Sequence, residues 1–189
     1  MSSTDIRKLI NLIEARSGKV SVQKLHQAMS QIADFSNSNI DYGINEAYEI
    51  CMKYLPDARY TGVMFRGLSI RPDVIANSNL NSLTASVQQK MQAYARQVTS
   101  WTPDIETTFR FINGTGVVLE QQATGLDVNN LYHEETDFSV QSAFDDENEV
   151  LAYTTDSVSI AGFVAVDQDE NPVFFPVAKF NDFVKSIQS

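Results

Sequence analysis

Apolar residues recur at helical spacing through the first third of the chain and then give way to strand-like runs. Ile6, Leu9, Ile10 and Ile13 follow the helical period. The Ser-Ser-Thr-Asp stretch before them can cap a helix, and Gly18 stands where a left-handed C-terminal residue belongs. A second helix is predicted from about Ser21 to Phe35 on Val22, Leu25, Met29 and Ile32. A third is predicted from Asn39 to Leu55, with Ile44, Ala47, Ile50 and Tyr54 on one stripe and Pro56 beyond its end. At Tyr60 the character changes. Tyr-Thr-Gly-Val-Met-Phe-Arg-Gly (60–67) is aromatic and β-branched and reads as a strand. Residues 80–97 return to helix, with Leu83, Val87, Met91, Tyr94 and Ala95 on the apolar side. Val98 to Thr102 reads as a short strand ended by Pro103. Pro103 to Ile112 fits a helix with proline in its first turn, and Asp104 and Glu106 at its positive end. Strands are then expected at 116–121, 126–131, 149–154, 157–166 and 172–178, the last two forming a hairpin closed by Asp-Gln-Asp-Glu-Asn. Helices first, then strands with few helices between them, indicate an α+β fold rather than a doubly wound parallel sheet. The change of character divides the chain into a helical segment, 1–57, and a β-rich core, 58–189, which together fit one compact domain.

Composition narrows the classes. A chain of 189 residues buries a sizeable core without staples, and its 43% hydrophobic and 20% charged residues are ordinary for a globular protein. One cysteine, Cys51, cannot make an internal disulfide. The beginning lacks a secretory apolar run, and no stretch approaches the roughly 20 apolar residues that span a bilayer. A cytoplasmic protein without a membrane partner is expected. The net charge of -10 argues against a binder of nucleic-acid backbones and suits a basic partner surface, or simply a solvated acidic one. The acids gather after residue 100, where Arg110, Lys179 and Lys185 are the only Lys or Arg.

His26 and His133 have no metal-ligand spacing, so no metal is expected. Cys51 falls inside a helical apolar pattern and reads as a packed thiol, and the glycines form no phosphate-binding fingerprint. Three segments carry more. Met-Phe-Arg-Gly (64–67) ends a predicted strand with Arg66. Thr-Ser-Trp-Thr (99–102) places Ser100 on a second strand. Asp-Glu-Asn-Glu-Val-Leu (146–151) runs from an acidic turn through Glu147 and Glu149 into a third. In that order they resemble the Arg-Ser-Glu class of mono-ADP-ribosyltransferases, which includes clostridial binary toxins, vertebrate ecto-transferases and enzymes of T4-like phages. The resemblance covers roughly residues 60–178; Ser-Trp-Thr stands where the family has Ser-Thr-Ser.

The resemblance implies a transferase core of two packed sheets in a mixed β arrangement, preceded by the N-terminal helices. It also implies NAD as substrate. Arg66 would hold the pyrophosphate, since a guanidinium presents a planar fork to phosphate. The Gly67 backbone would hydrogen-bond the nicotinamide amide, Thr102 would lie in the same NAD site, and Phe111 would stack on the nicotinamide ring. A core position for Phe111 is the other reading. Glu149 would stabilise the cationic sugar as the glycosidic bond breaks, with Ser100 holding its carboxylate. Glu147, two residues earlier, would face the same side if both are extended, and would take a proton from an acceptor arginine. A glutamate there, rather than glutamine, implies arginine as the acceptor. The short chain resembles phage enzymes that act in the cytoplasm of an infected host, on a protein of its transcription or translation machinery. An NAD glycohydrolase on the same fold and an acidic, non-enzymatic interaction protein are the alternatives.

Overall fold

The computed structural model describes residues 22–38, 43–95, 97–131 and 148–188. The helix expected around Ile6 to Ile13 lies outside them, as do Glu147 and the start of the third helix. The described elements, in chain order, are α1 (Val22–Ser38), α2 (Ile44–Tyr54), β1 (Arg59–Ser69), α3 (Pro72–Ala76), α4 (Leu80–Ala93) and β2 (Val98–Trp101). They continue with β3 (Gly116–Asp127), α5 (Val128–Leu131), β4 (Val150–Tyr153), β5 (Ser159–Val166), β6 (Pro172–Pro176) and α6 (Phe180–Ser186). The chain divides into two compact units, one of residues 1–61 and 124–152, the other of 62–123 and 153–189.

In the first unit, α1 buries the stripe its spacing predicts, whereas α2 buries Tyr48 and Cys51 in place of the expected Ile50 and Tyr54, which are half-buried. Leu25, Met29 and Ile32 on α1 and Ile44, Ala47, Tyr48 and Cys51 on α2 lie inside. Lys24 and Glu46 form an ion pair of 3.0 Å between the two helices. Gly43 begins α2 at φ 77, a left-handed backbone that glycine adopts without a Cβ clash. Helix α2 ends where Leu55 N–H donates to the Cys51 carbonyl, one residue short of Pro56. The Arg59 guanidinium donates to the carbonyl of Met52 through Nε at 2.8 Å and through Nη2. Burial pushes the Cys51 thiol up to about 12, which keeps it neutral and makes it a packing group.

In the second unit, α4 opens with a capping box: Asn79 accepts from Ser82 N–H, and the Ser82 hydroxyl accepts from Asn79 N–H. Leu83, Val87 and Met91 are its buried stripe. Tyr94 lies past the helix and is 40% exposed, so it is not on the apolar side as its spacing suggests. The hairpin of β5 and β6 forms as expected, with Val166 opposite Pro172 and Gly162 opposite Pro176. The turn between them is organised by Asp167, whose Oδ1 accepts from the backbone of Asp169 and Asn171. Helix α6 packs Phe183 on Phe163, the ring centroids 4.9 Å apart.

The six strands form one sheet in the order β2-β4-β3-β5-β6, with β1 pairing β3 off that path. The registered pairs are antiparallel. The α+β class therefore stands, but the strands join in one antiparallel sheet where two packed, mixed sheets were expected. The reason is the length of β3. Its 12 residues hydrogen-bond to β5 along Gly116–Glu120 and to β4 at Leu126 and Asp127. The strand expected at 126–131 does not form beyond Asp127, because the Asp127 carboxylate accepts from the Asn130 amide and side chain and starts α5.

Gln121 is 1% exposed in the middle of β3. Its amide donates to the Tyr153 carbonyl at 3.1 Å and lies 3.5 Å from Met64 Sδ, and its oxygen accepts from Thr155 N–H at 2.9 Å. Gln121→Met keeps the shape but removes the bonds to two half-buried backbone groups, the Tyr153 carbonyl and the Thr155 N–H, each loss costing about 1–2 kcal/mol. Chemical denaturation is expected to show a loss of about 2–4 kcal/mol with an unchanged m-value; a loss below about 0.5 kcal/mol would mean water satisfies both groups.

Candidate functional site

Arg66 and Ser100 lie together in the second unit. Phe65 on β1 and Thr102 just after β2 form an antiparallel bridge, with Phe65 N–H donating to Thr102 O at 2.7 Å and the reverse bond at 2.9 Å. That bridge sets the register of β1 against the serine segment. Arg66 Nη1 then donates to the backbone carbonyl of Ser100 at 2.8 Å, and both residues are half-buried. That bond uses the serine carbonyl, whereas the resemblance has Ser100 hold the Glu149 carboxylate. A charge-assisted bond of this kind orients the guanidinium plane and limits its freedom.

Trp101 is 2% exposed, and its Nε1–H donates to the Thr99 hydroxyl at 2.8 Å. Thr99 and Trp101 therefore share one face of β2, and Ser100, with the buried Val98, belongs to the other. The tryptophan in Ser-Trp-Thr is thus a core residue whose polar atom is satisfied within its own strand.

The segment after the serine motif is not the α-helix expected from Pro103 to Ile112. It is a 3-10 helix over Glu106–Phe111, with Pro103 outside it. The side chains explain the change. The Thr102 hydroxyl accepts from Asp104 N–H, and the Asp104 carboxylate accepts from Glu106 N–H and the Thr107 hydroxyl. The Thr108 hydroxyl donates to the Ile105 carbonyl at 2.6 Å. Two adjacent β-branched threonines, one bonded to the Asp104 carboxylate and the other to the Ile105 carbonyl, favour a tight turn over a continuing α-helix. Gly67 fits against this turn: a Cβ there would come within 2.5 Å of the Thr108 carbonyl oxygen. Its missing side chain is thus required by packing, whatever its backbone binds.

Phe111 is 53% exposed at the end of the turn, which overturns the reading of it as a core residue. Thr102 is 5% exposed and serves the turn through its hydroxyl. Glu149 belongs to the first unit, half-buried, immediately before β4, and its carbonyl accepts from Val128 N–H at 3.0 Å. Asn148 has φ 45 and is left-handed, and β4 begins only at Val150. The premise that Glu147 and Glu149 alternate along one extended strand therefore fails at the residue between them; Glu147 itself lies outside the described residues.

Clefts lined by described residues of the second unit include one of about 520 Å³ between Arg71, Asn113, Val166 and Ile187. Another, of about 170 Å³, lies between Gln88, Gln92, Thr154 and Asp156. Neither includes Arg66, Ser100 or Phe111. No group of three or more His, Cys, Asp or Glu side chains among the described residues could hold a metal ion. No described helix is long and apolar enough to cross a membrane. No protein-family model matches the chain, and no curated protein matches it.

The hydrogen bond from Thr107, followed by that from the Glu106 backbone, holds the Asp104 carboxyl below its usual range. A folded-state pKa below the unfolded value contributes stability at higher pH that is lost as pH falls through the folded value. The stability difference between the wild type and Asp104→Ala is therefore expected to be complete at pH 6. It should close only below the ordinary aspartate range of about 3.9. Thermal melts of both proteins from pH 7 to pH 2.5 check this; a difference that is independent of pH would remove the carboxylate from the turn's support.

Proposed function

We propose that the protein transfers ADP-ribose from NAD to arginine side chains of a protein acceptor, with release of nicotinamide. The observation that carries this reading is the hydrogen bond from Arg66 to the Ser100 carbonyl. It joins the first two segments of the Arg-Ser-Glu pattern, 34 residues apart in the chain. The exposed ring of Phe111, at the end of the turn that follows the serine segment, supports it further.

In this reading Arg66 binds the pyrophosphate, which carries negative charge on the oxygens a guanidinium fork matches. The Gly67 backbone and Thr102 border the nicotinamide side, and Phe111 offers an aromatic face to its ring. The bond between nicotinamide nitrogen and the anomeric carbon breaks, and its electron pair leaves with neutral nicotinamide. Positive charge then develops on the sugar, and Glu149 stabilises it, with Ser100 orienting that carboxylate. A guanidinium nitrogen of the acceptor forms the new bond to the anomeric carbon, and Glu147 accepts its proton. The acidic surface, at -10 overall, favours approach of a basic acceptor. The transferase core is the six-stranded sheet. A cytoplasmic site of action, in a host cell if the chain is of phage origin, belongs to the same proposal.

Hydrolysis of NAD to free ADP-ribose is the second reading, and Asn148 favours it. Its left-handed backbone removes the simple alternation that would direct both glutamates to one side. Without a carboxylate facing the acceptor, water would take the ADP-ribose.

Arg66→Ala is expected to weaken NAD binding about ten- to a hundredfold, the equivalent of a charge-assisted contact worth roughly 1.5–3 kcal/mol. Titration calorimetry on the folded variant checks it, and unchanged affinity removes Arg66 from the site. Labelled NAD, incubated with the protein and a bacterial lysate, separates transfer from hydrolysis. Glu149→Gln should abolish both nicotinamide release and protein labelling, with little change in melting temperature. Glu147→Gln should keep slow nicotinamide release while arginine labelling falls at least about 10²-fold, as for a lost general base. Equal loss of both activities in Glu147→Gln would rule out an acceptor-specific role. Full activity of Glu149→Gln would sink the proposed function.

A further inference from the structure

The 3-10 helix that carries Phe111 has only six residues, and such turns hold themselves weakly. Its position depends on what its side chains grip. Phe109, two residues before Phe111, stacks on Phe174 of β6, with ring centroids 5.8 Å apart and planes 19° from parallel. Both rings pack on a buried cluster of Ile112, Val118 and Val164, against which Phe65, the neighbour of Arg66, also packs. One apolar cluster thus supports the strand of Arg66 and the turn of Phe111.

The ring of Phe174 lies where it does because of a glycine on the neighbouring strand. Phe174 opposes Val164 across the hairpin, and Gly162 lies diagonally beside it. A Cβ at Gly162 would fall 2.4 Å from Phe174 Cζ and 2.5 Å from Cε2. The ring therefore covers the glycine closely, an arrangement that any side chain at 162 would displace. Displacing it shifts the surface on which Phe109 stacks.

We propose that Phe174, laid over Gly162, is a positioning residue that acts through Phe109 to set where the Phe111 ring meets the nicotinamide of NAD. This rests on the NAD reading of the site. Phe174 touches no reacting group, and its effect is on substrate affinity. Loss of a stacked aromatic contact changes binding by roughly three- to tenfold.

The test measures nicotinamide release as a function of NAD concentration, together with hydrogen exchange at the amides of residues 106–112. Phe174→Leu and Gly162→Ala are each expected to raise KM for NAD roughly three- to tenfold, with kcat within about twofold. Exchange at Thr108 and Ile112 should quicken in both. Phe174→Tyr, which keeps the ring, should restore wild-type KM and exchange. Phe111→Leu should raise KM to a similar extent, and adding Phe174→Leu to it should raise KM no further, since the two act on one contact. Phe109→Leu, at a half-buried position, carries the same test if Phe174→Leu does not fold. Unchanged KM in folded Phe174→Leu, beside normal NAD turnover by the wild type, overturns the role of Phe174 alone. Additive effects of the two leucine variants overturn it as well. A wild type that neither binds NAD nor releases nicotinamide overturns the NAD reading itself.

Discussion

Strand β3 must serve different partners along its 12 residues, and Gln121 sits where the partner changes. Up to Glu120 the strand is registered against β5, and from Leu126 against β4. A buried side-chain amide between these stretches donates to Tyr153 and accepts from Thr155, doing for β4 and the turn after it what a backbone ladder does elsewhere. An apolar residue could fill that space but could not satisfy those groups. The long strand is therefore continuous in sequence and discontinuous in pairing, and a buried polar side chain makes that arrangement affordable. The same strand contributes Val118 to the cluster beneath Phe65 and Phe109, so its position also bears on the candidate site.

The site residues divide into those that chemistry would select and those that packing demands. Gly67 and Thr102 belong to both groups, because the turn from Asp104 to Phe111 packs closely on the first and is hydrogen-bonded to the second. Arg66 and Phe111 are different. A half-buried guanidinium bound to a backbone carbonyl and a large ring left half in water add little to the core. Residues that the fold does not need, held in place by residues that it does, are where function is sought.

Much of the architecture was legible because it rests on local periodicity. The stripes of α1 and α4, the strand that carries Arg66 and the hairpin around Asp167 each follow from spacing and turn chemistry within about ten residues, although that strand runs on past Arg66 to Ser69. What escaped depends on shorter or longer distances. Helix α3 has five residues and α6 has seven, too few for a period to declare itself. The first-turn proline and the acids after it fit an α-helix over 103–112 as well as a tight turn; the Thr107 and Thr108 hydroxyls, bonded locally, decide for the turn. Strand alternation was assumed through Glu-Asn-Glu, and a single left-handed asparagine breaks it. For the site, the order of Arg66 and Ser100 in the chain pointed to their association, but the bond through the serine carbonyl could not be foreseen. The stack of Phe109 on Phe174 joins residues 65 positions apart, and no local pattern encodes it.

Among the described strands β6 ends the sheet, and it begins and ends with proline, at Pro172 and Pro176. An outermost strand offers its free edge to any other extended chain, and proline has no N–H to give at either end of that edge. Three residues between the prolines are too short a template for a second molecule to extend the sheet. Together with the excess of negative charge, this hinders one copy from adding to another strand by strand. The same protection would be lost by replacing either proline, even with a residue that fits the strand better.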